Sequence, residues 1–254
     1  MRGPTGVLTV VLFETALGSL GLLWLAPLWG VVRAGFFKLV GATVLVCAAL
    51  AWLTSRGELS HAGATGRGAS LWLGAFTLAV LLWQVLLYAR LPVARWVGVA
   101  AVVPGLVAAW PLSVLSGRTA LGALALLTGA LFLGATVDGL LLGHWYLVDR
   151  RLSNRPILAL ATWFFAGVAA ALVSAALGGA RGEVVDQSLS PLLAFPNLTV
   201  YLAVGLVLLC GLLASFIRAL VRSNSIQAAT GMFYLAVIMA LAAEFAAKVY
   251  FFRT

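Results

Sequence analysis

An all-α integral membrane bundle is the fold class this sequence predicts, and three observations predict it. The chain is 63% hydrophobic with a mean hydropathy of +1.11, beyond the roughly 45–50% apolar share of a soluble domain. Apolar runs of 18 residues or more recur from one end to the other, the length a helix needs to cross a bilayer. These runs are continuously apolar and do not alternate, which excludes a membrane β-barrel.

Eight spans account for the runs: 6–31, 35–53, 70–88, 96–115, 120–147, 157–177, 198–217 and 226–252. The first follows a basic N-terminus, but Glu14 interrupts it and no small-x-small cleavage pattern follows, so a retained helix is expected. The second and third flank Arg56–Ala69, a Gly/Ala/Ser-rich stretch that reads as a mobile loop. Pro104 with Gly105, and Pro111, lie inside the fourth span and are its candidate breaks. The fifth is long, about 42 Å at 1.5 Å per residue, and must tilt or project. Between the sixth and seventh lies 178–197, with Pro191 and Pro196 and an apolar patch, 189–195, suited to the interface. No connection is long enough to be a soluble domain, so 1–254 reads as one membrane domain. A four-plus-four organisation, 1–117 and 118–254, would place Glu14 and Asp138 on corresponding spans, although the spacings of matching features disagree.

The net charge of +9 is distributed between the spans, where it sets topology and meets anionic lipid; nothing points to nucleic acid. Arg33, Lys38, Arg90, Arg95, Arg150, Arg151, Arg155, Arg218 and Arg222 fall in the connections after odd-numbered spans. The opposite side holds Arg2, Arg56, Arg67, Arg118, Arg181 and Arg253, together with Glu58, Glu183 and Asp186. The positive-inside rule then places both termini outside and the tight basic connections in the cytoplasm of a bacterial inner membrane.

Charges inside a membrane are costly and mark candidate sites. Glu14, Asp138, Glu244 and Lys248 are the four. Glu244 and Lys248 are an i,i+4 pair in the favourable order, with the lysine free to snorkel outward. Glu14 lies at a similar depth and shares its face with Gly18 and Gly21, so a cluster of Glu14, Glu244 and Lys248 could hold a proton or cation. Asp138 sits nearer the other side, next to the small-residue ridge Ala135, Gly139 and Gly143. At about 100° per residue, Asp138 and His144 lie about 120° apart on their helix and cannot act as a local pair.

His144, Trp145 and Tyr146 stand at the end of the fifth span, and Gln227, Thr230 and Tyr234 line one face of the eighth at the same level. An interfacial aromatic anchor explains the first group, and Ser223 or Asn224 capping explains part of the second. The sharper reading is a head-group site for a quinone, formed by His144, Trp145, Tyr146, Gln227 and Tyr234.

Several chemistries are unsupported. A bis-histidine haem would need His61 and His144, which fall on opposite sides. No zinc or copper spacing, phosphate loop or nucleophile elbow is present in the sequence. Cys47 and Cys210 lie in apolar runs and read as inert thiols. Lys248 followed by aromatics is too close to the end of an eighth helix to be a retinal lysine.

By span count and topology over the whole chain, the protein resembles the cofactor-free, eight-helix membrane anchors of the NrfD and DmsC kind. That resemblance implies a quinone site presented to partner redox subunits, with redox cofactors on the partners and none bound covalently here. The expected function is therefore a membrane subunit of an energy-transducing redox complex, with Glu14, Asp138 and Glu244 handling protons. It would not be a stand-alone enzyme. A small proton-coupled secondary transporter and a purely structural membrane subunit are the alternatives.

Overall fold

A computed structural model of the chain describes residues 4–59, 62–149, 151–178, 198–249 and 251. Among them are helices α1 (Pro4–Leu25), α2 (Ala34–Leu59), α3 (Gly63–Tyr88), α4 (Ala94–Ala100), α5 (Val102–Leu115), α6 (Thr119–Val148), α7 (Arg155–Gly178), α8 (Leu198–Arg222) and α9 (Ile226–Lys248). Helices α4 and α5 share one span, so the described residues hold eight spans long and apolar enough to cross a membrane. The expected fold class holds. The stretch 179–197, with its expected interfacial patch, lies outside the described residues, as does His61.

Several boundaries move, each for a local reason. The first helix ends at Leu25, not Val31. Pro27 cannot continue the backbone ladder, and a turn closed by Val32 N–H donating to the Leu28 carbonyl (2.9 Å) follows, with Gly30 at φ 82. The stretch Arg56–Ala69 is mostly helix: α2 runs to Leu59 and α3 begins at Gly63. Gly66 and Ala69 are buried, so the described part of the expected mobile loop is packed helix. In the fourth span the break falls at Ala101, three residues before Pro104, while Pro111 is accommodated inside α5. Without an N–H, Pro104 cannot satisfy the carbonyl one turn earlier.

The spine of the bundle is the pair α1 and α6. Helix α1 is the most enclosed span, with 83% of its central window buried. It lies against α2 and α6, and α6 also touches α7 and α9. Neighbours in sequence complete two groups, α1 to α5 and α6 to α9, that meet along this spine. Contact between α1 and α6 is backbone to backbone. A Cβ on Gly18 would strike the Ala130 carbonyl, and one on Gly134 would strike the backbone of Gly18 and Ser19. Glycine is what allows that approach. The matches of residue 14 with 129 and 18 with 134 show that the two helices run parallel.

The ridge Ala135, Gly139 and Gly143 faces elsewhere. Gly139 receives Phe233 and Gly143 receives Thr230, so this seam seats α9. Gly21, expected with Gly18 on the Glu14 face, takes no part in close packing: a Cβ added there would meet nothing within 4 Å.

Two helix ends on the basic side share one geometry. After α3, Leu91 N–H donates to Leu86 O (3.1 Å) with Arg90 at φ 58. After α8, Ser225 N–H donates to Leu220 O (2.9 Å) with Asn224 at φ 59. Both are Schellman caps with a left-handed residue just past the helix. Asn tolerates that conformation; an arginine there carries a strain of about 1–2 kcal/mol that glycine avoids.

Candidate functional site

Helices α1, α6 and α9 each bring one polar group to a single point. Lys248 Nζ lies 2.8 Å from Glu14 Oε1 and 3.2 Å from Glu244 Oε2. It also donates to the Ala125 carbonyl of α6 at 2.8 Å. The ammonium thus meets one oxygen from each of three helices, two as ion pairs and one as a hydrogen bond. The side chains of Lys248 and Glu14 are 4% and 0% exposed. The cluster of Glu14, Glu244 and Lys248 is therefore assembled, and the lysine does not snorkel out.

Local sequence explains the assembly. Glu244 and Lys248 stack one turn apart on α9. Glu14 can reach them because α6 presents Gly129 opposite it, where a Cβ would lie 2.7 Å from the Glu14 carboxyl. Oε2 of Glu14 accepts no hydrogen bond among the described residues. Two carboxylates share one ammonium, so the cluster is one cation short of neutrality when all three groups are ionised.

A cavity of about 140 Å³ opens beside the cluster, between α6, α7, α8 and α9. Glu244 and Lys248 form part of its wall, with Thr128, Ser174 and Thr199 among its polar lining and Arg118 at its rim. Glu14 lies behind them, sealed from the cavity.

Asp138 occupies a second interior position on the same spine, about 20 Å along α6 from Ala125 at 1.5 Å per residue. It is fully buried, and the Ser19 hydroxyl of α1 is the polar group beside it. The geometry falls short of a formed hydrogen bond for either group. No cation stands against Asp138 in any ion pair among the described residues. A bare charge here would be very costly.

The residues expected to form a head-group pocket divide four ways. His144 and Tyr234 come together, with the Tyr234 hydroxyl 2.5 Å from His144 Nε2 and the rings edge to face at 5.1 Å. The other ring nitrogen of His144 meets the Leu140 carbonyl at 3.2 Å. Tyr234 is half exposed on the side of the bundle, and Gln227 is exposed two turns earlier on α9. Trp145 turns the other way, against Phe36 and the Cα of Gly35 on α2. Tyr146 donates to the Ser153 carbonyl at 2.5 Å and serves the α6–α7 turn. The structure therefore joins His144 to Tyr234 and leaves Trp145 and Tyr146 in separate packing. As expected, Asp138 and His144 face different neighbours, α1 and α9.

Two partners of these groups are not on the expected site: Ser19 and the Ala125 carbonyl. Ser19 carried a signal, being a hydroxyl beside Gly18 inside the apolar span α1. A backbone carbonyl carries none. Among the described residues no group of His, Cys, Asp and Glu could hold a metal ion. The chain matches no protein-family model, and neither curated proteins nor solved structures yield a match to it.

Proposed function

We propose that the protein handles protons inside the membrane, as the membrane subunit of an energy-transducing redox system. The observation that carries this reading is the line of buried ionisable groups along the α1–α6–α9 junction. From the cavity, Glu244 and Lys248 lead to Glu14. Ser19 follows about 7.5 Å along α1, with Asp138 beside it, and His144 with Tyr234 lies about 9 Å further along α6. Two of these intervals exceed a hydrogen bond, so transfer across them needs bridging water.

In this reading Glu14 and Glu244 compete for Lys248. A proton added to one carboxyl releases the ammonium to the other, and the cluster passes charge without leaving a bare ion in the bilayer core. Asp138 is the relay at the far half. The half-exposed His144–Tyr234 pair faces lipid, where a quinone head group would meet one donor and one acceptor, its tail lying in the hydrocarbon. Partner subunits would supply the redox cofactors.

Infrared difference spectroscopy of the purified chain between two pH values tests the central claim. Carboxyl carbonyl bands should appear and should be lost in Glu14→Gln and Asp138→Asn. Absence of any such band in the wild-type chain overturns proton handling. Photolabelling with an azido-quinone tests the lipid-facing end, and labelling unaffected by His144→Ala and Tyr234→Phe overturns it.

A second reading is favoured by the cavity itself. Its volume of about 140 Å³ fits a small solute directly against Glu244 and Lys248, the arrangement a proton-coupled carrier uses. Solute uptake driven by a pH gradient in liposomes containing the chain alone would select that reading.

A further inference from the structure

The opposite face of the bundle carries a second concavity, remote from the acid cluster. Arg33, Lys38 and Arg90 line it together with Trp29, Leu87 and Pro92. We propose that this groove seats the phosphate of an anionic phospholipid.

Three cations converge here from three places in the chain: the α1–α2 turn, the first turns of α2, and the turn after α3. Among the described residues a single carboxylate, Asp149, pairs with them, 3.0 Å from Arg33 Nε. The excess is two positive charges. Ala34 and Gly35 also line the groove. They open α2, where the first amide N–H groups have no acceptor within the helix. Lys38 is steadied over the Tyr88 ring at 4.4 Å. Phosphate is the anion such a set of donors suits, and a basic pocket between membrane helices is a known form of lipid head-group site.

One feature favours a lipid over a free anion. Leu91 of its wall is exposed, as are Leu39, Val93 and Trp96, which lie within two residues of lining positions in the chain, an apolar track for acyl chains. Arg90 bears on the groove itself, whichever anion fills it. It occupies the left-handed cap position that α8 gives to Asn224 and that glycine fills most easily. Backbone geometry therefore disfavours arginine at the one place where its side chain joins the groove.

That conflict supplies the test. Arg90→Gly removes a cation while suiting the backbone, so thermal unfolding should hold or rise. Native mass spectrometry of the full chain in detergent, with added phosphatidylglycerol or phosphatidylcholine, reads the occupancy. Wild type should retain phosphatidylglycerol preferentially. Arg90→Gly and Lys38→Gln should each weaken that retention about fivefold, and Arg56→Gln, on the other face, should not. Lys38→Gln lies outside the turn and gives the same reading if Arg90→Gly unfolds. Equal retention of the two lipids, or retention unchanged in both groove variants, overturns the proposal. Displacement of phosphatidylglycerol by an equal concentration of inorganic phosphate also overturns it, in favour of a free-phosphate site.

Discussion

Lys248→Met is the most informative single change in this molecule. Methionine keeps much of the length and the apolar stem of the lysine but removes the ammonium that Glu14, Glu244 and Ala125 share at 2.8, 3.2 and 2.8 Å. Glu14 is 0% exposed, so water cannot replace the lost partner. Breaking a buried ion pair from one side costs about 3–5 kcal/mol, because the remaining charge is left uncompensated. For a chain of this size that lowers Tm by roughly 6–20 °C. The triple variant Lys248→Met, Glu14→Gln, Glu244→Gln removes all three charges together and should recover most of the loss, since a neutral set carries no charge-desolvation penalty. Thermal unfolding of both variants in one detergent gives the comparison. A single variant within about 1 kcal/mol of wild type would refute the buried-cluster reasoning, that being the range of an exposed pair. So would a triple variant no more stable than the single one.

Other positions give sharp contrasts. Gly18→Ala forces a Cβ into the Ala130 backbone, which cannot rotate away, and should cost about 1–3 kcal/mol or more of stability. Gly21→Ala meets nothing within 4 Å and should gain about 0.5–1 kcal/mol from helix propensity; equal effects at both positions would contradict the α1–α6 packing. Arg33→Ala breaks a pair whose arginine is 74% exposed, so unfolding should shift by less than about 1 kcal/mol. Tyr234→Phe removes the hydroxyl bonded to His144 and should cost about 1 kcal/mol, visible also as an altered imidazole signal by NMR. An unchanged histidine signal would mean that the bond is not formed.

How far the site was legible depended on the kind of signal. Glu14, Asp138, Glu244 and Lys248 stood out because a charge in an apolar span announces itself. The i,i+4 relation of Glu244 and Lys248 followed from one helix. Meeting of Glu14 with that pair depended on α1 and α9 both packing against α6, a relation between chain positions more than two hundred residues apart. The expected pocket failed to gather Trp145 and Tyr146 because neighbours in sequence point about 100° apart on a helix. Trp145 found Gly35, Tyr146 found Ser153, and only His144 turned toward α9.

The sequence by itself determined the solvent of this protein, the number of its spans and the identity of its costly residues. Those follow from composition and length, because any helix of about 20 apolar residues has one favourable environment. Tertiary structure decided which face of each helix is inside. In a soluble helix a polar stripe marks the outside. Here lipid is as apolar as the core, so both faces look alike in the sequence. The choice fell to close contacts: Gly18 on Ala130, Gly134 on Gly18, and the lysine that ties three helices together.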